Sequence, residues 1–202
     1  MLFSCRVRVL FAKIVKKSSL ESIGYKCLLG DFLSFWISLN TLTNMGEYDM
    51  QLTENFSLRE MIKSDTATRF GLDNTPDDYE IENLRILCEN VLQPLRDKLG
   101  PIRVNSGYRN GLVNEAVGGS RRSDHCHGFA ADIEIEGMSN FSLASYIEDN
   151  FDFTQLILEF YTPGVLDSGW VHVSYDDTNL KREVLTAIRE RGKTVYQRGL
   201  IE

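Results

Sequence analysis

Cysteine is scarce in this sequence, and the few cysteines present do not form a recognisable pattern. The 202 residues include four cysteines, at positions 5, 27, 88 and 126, with no CxxC pair among them. This spacing argues against a zinc site built from cysteines and against a disulfide framework. We therefore expect reduced thiols that serve mainly in packing.

An excess of positive charge is also missing. The chain has 22 basic and 29 acidic side chains, a formal charge of −7 and a sequence pI near 5.1. Nucleic acid is not expected as a partner, because binding to phosphates needs clustered lysine and arginine.

Long hydrophobic runs are absent too. The apolar stretch from Cys27 to Leu42 is short and contains Asp31, so no stable membrane span is predicted.

The first 45 residues differ in charge from the rest of the chain. They carry six basic and two acidic side chains, which leaves 16 of the 22 basic and 27 of the 29 acidic side chains for residues 46–202. We expect residues 1–44 to be an N-terminal extension and residues 45–202 to form one domain. Lysines break the apolar run of the extension, which argues against a secretory signal. An amphipathic transit-like or membrane-surface segment, a divergent leader and sequence upstream of a later start remain open.

Helical signals dominate the first part of the domain. Ser57 and Glu60 form a capping box that predicts a short helix. Thr75-Pro76 is expected to cap a long helix that ends at Gly100-Pro101, with a bend at Pro94. Further short helices are predicted near residues 110–117 and 141–149.

Strand signals follow the long helix. Alternating apolar and polar residues predict strands that begin at Ile102 and cover residues 129–136, 155–160 and 170–175. Helices first and strands afterwards are typical of an α+β domain. We predict a central antiparallel sheet with helices packed mainly from the N-terminal half and with a functional site on the sheet face.

All three histidines lie in two short segments next to predicted strands. The segments are Ser123-Asp-His125-Cys-His127-Gly-Phe-Ala-Ala-Asp132 and Gly169-Trp-Val-His172-Val. Because side chains alternate along a strand, Asp132 and His172 point away from their apolar neighbours. Two imidazoles and one carboxylate suit Zn²⁺ and leave one position for water. On spacing alone, packed histidines and an aspartate that hydrogen-bonds the backbone are the commoner arrangements.

These segments resemble the signature of the M15 zinc peptidases. The motif SxHxxGxAxD is matched from Ser123 to Asp132, the later W-x-H segment by Trp170 to His172, and the SGYR segment by Ser106 to Arg109. Phe56-Ser-Leu and the segment from Gln155 to Glu159 are matched in the same order, so that the resemblance covers roughly residues 50–186. It is greatest to the D-Ala-D-Ala carboxypeptidase branch, which includes phage-encoded members.

The resemblance implies roles for individual residues. His125, Asp132 and His172 would bind Zn²⁺, and Arg109 would bind substrate or stabilise the transition state. A guanidinium fork suits either role, although a surface salt bridge is the alternative for Arg109. Ser123 would contact substrate or support its loop.

The matched motif positions do not identify the general base. Relatives often have an acidic residue three positions before the last histidine, where this chain has Gly169. Glu159 is the first candidate, because its position in the strand aims it at the site, and Asp167 on the turn before the last strand is the second. His127 occupies a free position of the motif and is not expected to bind the metal.

The resemblance implies that the substrate is a bacterial peptidoglycan stem peptide, with removal of a terminal D-Ala as the first expectation. An L-Ala-D-Glu or cross-bridge endopeptidase and a non-catalytic wall-binding or virion module are the alternatives. The expected site of action is the bacterial cell wall or periplasm, reached either by export or after synthesis of a phage enzyme in the cytoplasm.

Overall fold

The structure is a computed structural model, and it describes residues 50–202. The predicted N-terminal extension and the apolar stretch from Cys27 to Leu42 lie outside the described residues. Within residues 50–202, no helix combines the length and the apolar character needed to cross a membrane.

Within residues 50–202, five helical elements precede the first strand, and three more lie between the first three strands, two of them near the predicted positions 110–117 and 141–149. The helical elements are α1 (Leu58–Ile62), α2 (Asp65–Phe70), α3 (Asp78–Leu87), a π-helical turn (Cys88–Leu92), α4 (Gln93–Leu99), α5 (Gly111–Ala116), a 3₁₀ helix (Asp124–His127) and α6 (Asn140–Asn150). The strands are β1 (Ile102–Ser106), β2 (Ala130–Ile135), β3 (Gln155–Glu159), β4 (Trp170–Ser174), β5 (Glu183–Glu190) and β6 (Lys193–Arg198).

The helix starts agree with the sequence only in part. Ser57 caps α1 by accepting a hydrogen bond from the Glu60 backbone N–H at 3.3 Å. Helix α3, however, is capped by Asp77, which forms a capping box with Glu80. The prediction that Thr75 caps this helix is therefore wrong. Thr75 instead donates two hydrogen bonds to the Asp73 carboxylate, because this aspartate closes a turn two residues before it.

The long helix contains a π-helical turn shortly before Pro94. Pro94 lacks an N–H group, and its ring would clash with the carbonyl four residues earlier in a regular α-helix. The wider turn from Cys88 to Leu92 lies directly before it. A local widening is a known way to absorb such a disruption, so the predicted bend takes the form of a π turn.

The six strands form one sheet in the order β1-β2-β4-β3-β5-β6. Four neighbouring pairs are antiparallel, and β3 and β5 are parallel. The α+β class is confirmed, whereas the sheet is mixed because the chain crosses over from β4 to the far side of β3. Strands β5 and β6 were not predicted, although Glu190-Arg191-Gly192-Lys193 is a typical hairpin turn between two alternating segments.

The two faces of the sheet differ in polarity. One face is apolar and packs against the helices, and its fully buried residues are Ala131, Ile133, Leu156, Leu158, Val171 and Val173. The helices contribute Leu84, Leu87, Val91, Leu95, Leu143 and Ile147 to the same core. The opposite face carries Asp132, His172, Gln155 and Glu159, which follows from the alternation of side chains along each strand. This polar face holds the candidate site, as predicted.

Candidate metal centre and active site

Neighbouring strands bring two of the candidate ligands together. Asp132 on β2 and His172 on β4 are direct cross-strand partners, so their side chains leave the sheet on the same face. His125 comes from the 3₁₀ helix just before β2. The chain turns into that strand at Gly128, whose φ is +74° and whose hypothetical Cβ would lie 2.4 Å from the Glu80 carbonyl oxygen. Only glycine fits this turn.

The three side chains meet in a small triangle of donor atoms. His125 Nε2 lies 3.1 Å from both Asp132 Oδ1 and His172 Nδ1, and the last two atoms are 3.0 Å apart. All three residues are buried. Within residues 50–202 this is the one group of three such side chains whose ligand atoms lie close enough to share a metal ion.

The donor atoms fit a zinc ion. The His125 Nδ1–H donates to the Gly107 carbonyl at 2.6 Å, which leaves the Nε2 lone pair directed at the other two donors. Three electron-rich atoms in mutual contact need a cation between them. Tetrahedral zinc with ligands at about 2.1 Å separates its ligand atoms by about 3.4 Å, a few tenths of an ångström more than the observed 3.0–3.1 Å. Three protein ligands match the pattern of catalytic rather than structural zinc.

The pKa values show how strongly these groups interact. Burial lowers the pKa of His125. Burial alone would raise the pKa of Asp132, but the two imidazoles beside it outweigh that effect and hold the pKa well below its usual range. Burial alone would lower the pKa of His172, but Asp132 outweighs it and raises the pKa. Asp132 is therefore a carboxylate at neutral pH, as a metal ligand must be.

Arg109 lies beside this group and not on the open surface. Its Nη2 is 3.9 Å from Asp132 Oδ2, and 17% of its side chain is exposed. Its buried Nε has no hydrogen-bond partner within the described chain. The alternative of an exposed salt bridge does not fit this burial, and Arg109 lines the cavity that the three donors share.

A cavity of about 630 Å³ opens over the three donors. Glu159 lines it from β3, directly across from Trp170 and therefore on the same face as His172. Burial and the nearby Asp132 raise the pKa of Glu159 to about 7. A carboxyl group with a pKa near 7 that faces a cavity can exchange protons at neutral pH.

Ser123, Asp167 and His127, which the sequence analysis also considered, do not all lie at the donor triangle. Ser123 lines the same cavity as the three donors. Asp167 lines a different cavity, formed by residues such as Arg103, Glu134 and Asn140, so the structure does not bring it to the donor triangle. His127 is exposed and its ring lies 6.3 Å from that of Phe129, away from the three donors.

Several cavity residues were missed by sequence reasoning. Asp124, Arg189 and Tyr196 line the cavity, and Gly107 orients His125 through its carbonyl. Asp124 lies directly before His125 and was open to recognition as another carboxylate of the site. Arg189 and Tyr196 belong to the unpredicted hairpin, so the only available signal was its alternating pattern.

An open site with two histidines and one aspartate on a sheet face defines a metalloprotein with the ligand set of a zinc hydrolase. A family model described as Peptidase M15 matches residues 54–174, more than half of the chain. The chain belongs to the peptidase M15 family. It is also similar to the zinc D-Ala-D-Ala carboxypeptidase of Streptomyces albus G, with 37% identity over 68 residues. That alignment covers 33% of this chain and 26% of the relative.

Proposed function

We propose that this protein is a zinc-dependent peptidase that hydrolyses a bond next to a D-amino acid in bacterial peptidoglycan stem peptides. The supporting observation is the triangle formed by His125, Asp132 and His172 beneath an open cavity. Membership in the peptidase M15 family and the similarity to a zinc D-Ala-D-Ala carboxypeptidase support the same conclusion. Removal of a terminal D-Ala is the reaction to test first. Its site of action would be the cell wall or periplasm.

The proposed mechanism divides the work among a few side chains. His125, Asp132 and His172 would hold Zn²⁺, which when bound polarises a carbonyl and acidifies water. Glu159 accepts a proton from the attacking water and passes it to the leaving amine. Arg109 donates hydrogen bonds to the carbonyl oxygen as negative charge develops there.

Glu159 is preferred over the other carboxylates because of its surroundings. Asp132 is committed to the histidines, and Glu183 pairs with Lys181 at 3.2 Å. Asp167 lines another cavity. Glu159 has no hydrogen bond or ion pair with another side chain in the part of the chain that the structure describes, and it shares a sheet face with His172.

The size of the cavity also favours a second candidate reaction. A volume of about 630 Å³ lies in the range that encloses a drug-sized ligand, and a terminal D-Ala pair would occupy only part of it. An endopeptidase that cuts the L-Ala-D-Glu bond or a cross-bridge would use more of this space.

The experiment that tests the proposal uses two substrates. The protein is incubated with purified stem pentapeptide and with intact peptidoglycan, each with and without a zinc chelator, and the products are identified by mass spectrometry. Loss of one D-Ala from the pentapeptide supports a carboxypeptidase, and internal cleavage supports an endopeptidase. The absence of any chelator-sensitive product would overturn the proposal in favour of a non-catalytic wall-binding or virion module.

A further inference from the structure

The hairpin formed by β5 and β6 adds a wall to the catalytic cavity. It lies after residue 174, where the family match ends, and it joins the sheet through the parallel pairing of β5 with β3. Its contribution to the cavity consists of Glu183, Leu185, Arg189, Thr194 and Tyr196. This wall is therefore a place where the chain can set its own substrate preference.

Arg189 is held in place on this wall by an aromatic platform. Its guanidinium carbon lies 4.7 Å from the centre of the Phe160 ring. The Phe160 ring in turn packs edge-on against Trp170, with ring centres 5.3 Å apart and an interplanar angle of 66°. Stacking on a ring leaves the N–H groups at the edge of the guanidinium free to bind an anion in a fixed orientation.

Arg189 acts electrostatically on Glu159, where it partly offsets the rise in pKa of that carboxyl, but within residues 50–202 no carboxylate is close enough to form an ion pair with it. Among the other cations of the cavity, Arg109 pairs with Asp132 and Lys181 with Glu183. Within residues 50–202, no hydrogen bond or ion pair involves the Arg189 guanidinium. Arg122 and Arg189 are both exposed and both line the cavity, but within residues 50–202 an aromatic ring lies beneath Arg189 and none lies beneath Arg122. Arg189 is thus the ordered cation available to a ligand.

The position of Arg189 indicates which part of a peptide it would meet. Ile157 lies opposite both His172 and Leu185, and Arg189 follows Leu185 by four residues. Two strand spacings and four residues separate the Cα atoms of His172 and Arg189 by roughly 16 Å. An extended peptide advances about 3.3 Å per residue, so the Arg189 backbone lies several residues along from a bond cut at the metal centre, and its guanidinium lies on Phe160 within electrostatic range of Glu159.

We infer that Arg189, seated on Phe160, binds a carboxylate on an inner residue of the peptide substrate. This inference rests on the proposed function and specifies its substrate further. In a stem peptide that has lysine at the third position, D-Glu carries the one inner carboxylate. A peptide with a free D-Glu carboxylate is therefore preferred over the same peptide in which this carboxylate is a carboxamide.

The test measures binding and turnover separately. Calorimetry with the zinc-loaded protein gives the Kd of both peptides in a Glu159→Gln background, with and without Arg189→Gln. Loss of a charge-assisted hydrogen bond should weaken binding of the carboxylate peptide about tenfold or more and leave binding of the carboxamide peptide unchanged. Arg198→Gln is the matched control, because it removes the same charge from the same hairpin outside the cavity. It should change neither Kd.

The outcomes separate this inference from the proposed function. Equal effects of Arg189→Gln on both peptides, no effect on either, or no binding of either peptide would overturn the inference. With Arg189 intact and Glu159 present, turnover of the two peptides tests the proposed function. If the carboxylate peptide binds more tightly but neither peptide is hydrolysed, the proposed peptidase is contradicted and the Arg189 subsite is supported. If both peptides bind equally well and are hydrolysed, the peptidase is supported and the Arg189 subsite is contradicted.

Discussion

At the residue scale, the same sheet face gives its acidic side chains different properties. Asp132 is buried between two imidazoles and stays ionised, whereas burial and the charge of Asp132 raise the pKa of Glu159 to about 7. One carboxylate is thus suited to hold a cation and the other to exchange protons. This division of roles is common where two acidic groups share a catalytic site.

Replacing Glu159 by glutamine should identify the general base. Glu159→Gln keeps the shape of the side chain and removes the titratable group, so turnover should fall by roughly two to four orders of magnitude while the zinc content stays unchanged. Asp124→Asn and Asp167→Asn are matched controls, one inside the cavity and one outside it. Near-normal turnover of Glu159→Gln together with an inactive control variant would transfer the role to that aspartate.

The raised pKa of Glu159 also predicts a pH effect on stability. In the metal-free protein the folded state keeps a proton on Glu159 up to about pH 7, whereas the unfolded state releases it near 4.5. Stability from this group is therefore lost as the pH rises through that window. Urea unfolding in chelator should show that Glu159→Gln gains stability relative to the wild type by about 1–2 kcal/mol from pH 5 to pH 8.

A pH-independent difference between the two proteins would contradict that expectation. Glu183→Gln serves as the comparison, because hydrogen bonding to Gln155 lowers the pKa of Glu183. Its stabilising contribution is fully present above the unfolded pKa of 4.5 and is lost only as the pH falls below it, so Glu183→Gln should show no trend from about pH 5 to pH 8.

At the element scale, the loop between β3 and β4 explains why an acid is absent from position 169. Gly169 has a φ of +67°, and a Cβ there would lie 1.9 Å from the Glu159 carbonyl oxygen. Asn140 at the start of α6 holds this backbone by donating hydrogen bonds to the Ser168 and Gly169 carbonyls. The loop thereby fixes the end of β3, which carries Glu159, against the start of β4.

Any side chain at position 169 should therefore destabilise the folded protein. Gly169→Ala is expected to lower the free energy of unfolding by about 2–4 kcal/mol, since it combines an unfavourable φ with a backbone clash. Gly164→Ala in the same loop is the control, because Gly164 also has positive φ but its Cβ would meet nothing within 4 Å. It should cost about 1 kcal/mol. Equal melting temperatures for the two variants would contradict the steric account.

Individual residues show why some elements were predictable and others were not. The orientation of Asp132 and His172 could be predicted because alternation along each strand fixes the sheet face on which a side chain lies. The pairing of β2 with β4 then brings the two side chains together. The need for glycine at position 169 depends on the Glu159 carbonyl ten residues earlier, which no local pattern reveals. The parallel pairing of β3 with β5 was equally hidden, so Arg189 was not connected with the site.

At the scale of the whole molecule, one face of the sheet provides stability and the other provides chemistry. The helices cover the apolar face, and the core they form lies within residues 52–173. The donor triangle and the cavity lie on the opposite face. Substitutions on the polar face can therefore change metal binding or activity while the main core stays intact.

The boundary of the domain gives a prediction for the full chain. A version that starts at Met45 should remain soluble and unfold cooperatively, because residues 52–173 supply a contiguous buried core within the part of the chain that the structure describes. Its melting temperature should stay within about 4 °C of the full-length value, a change of roughly 1 kcal/mol or less. Insolubility or a non-cooperative melt of the shortened protein would show that residues 1–44 belong to the folded domain.

The zinc content of two histidine variants tests the central claim most directly. Elemental analysis of the purified wild type and of His127→Ala should give about one zinc per chain, because His127 is exposed and lies outside the donor triangle. His172→Ala should lose the metal and still unfold cooperatively, since two remaining ligands bind zinc much more weakly. Full zinc occupancy in His172→Ala, or loss of zinc from His127→Ala, would contradict the assigned metal centre.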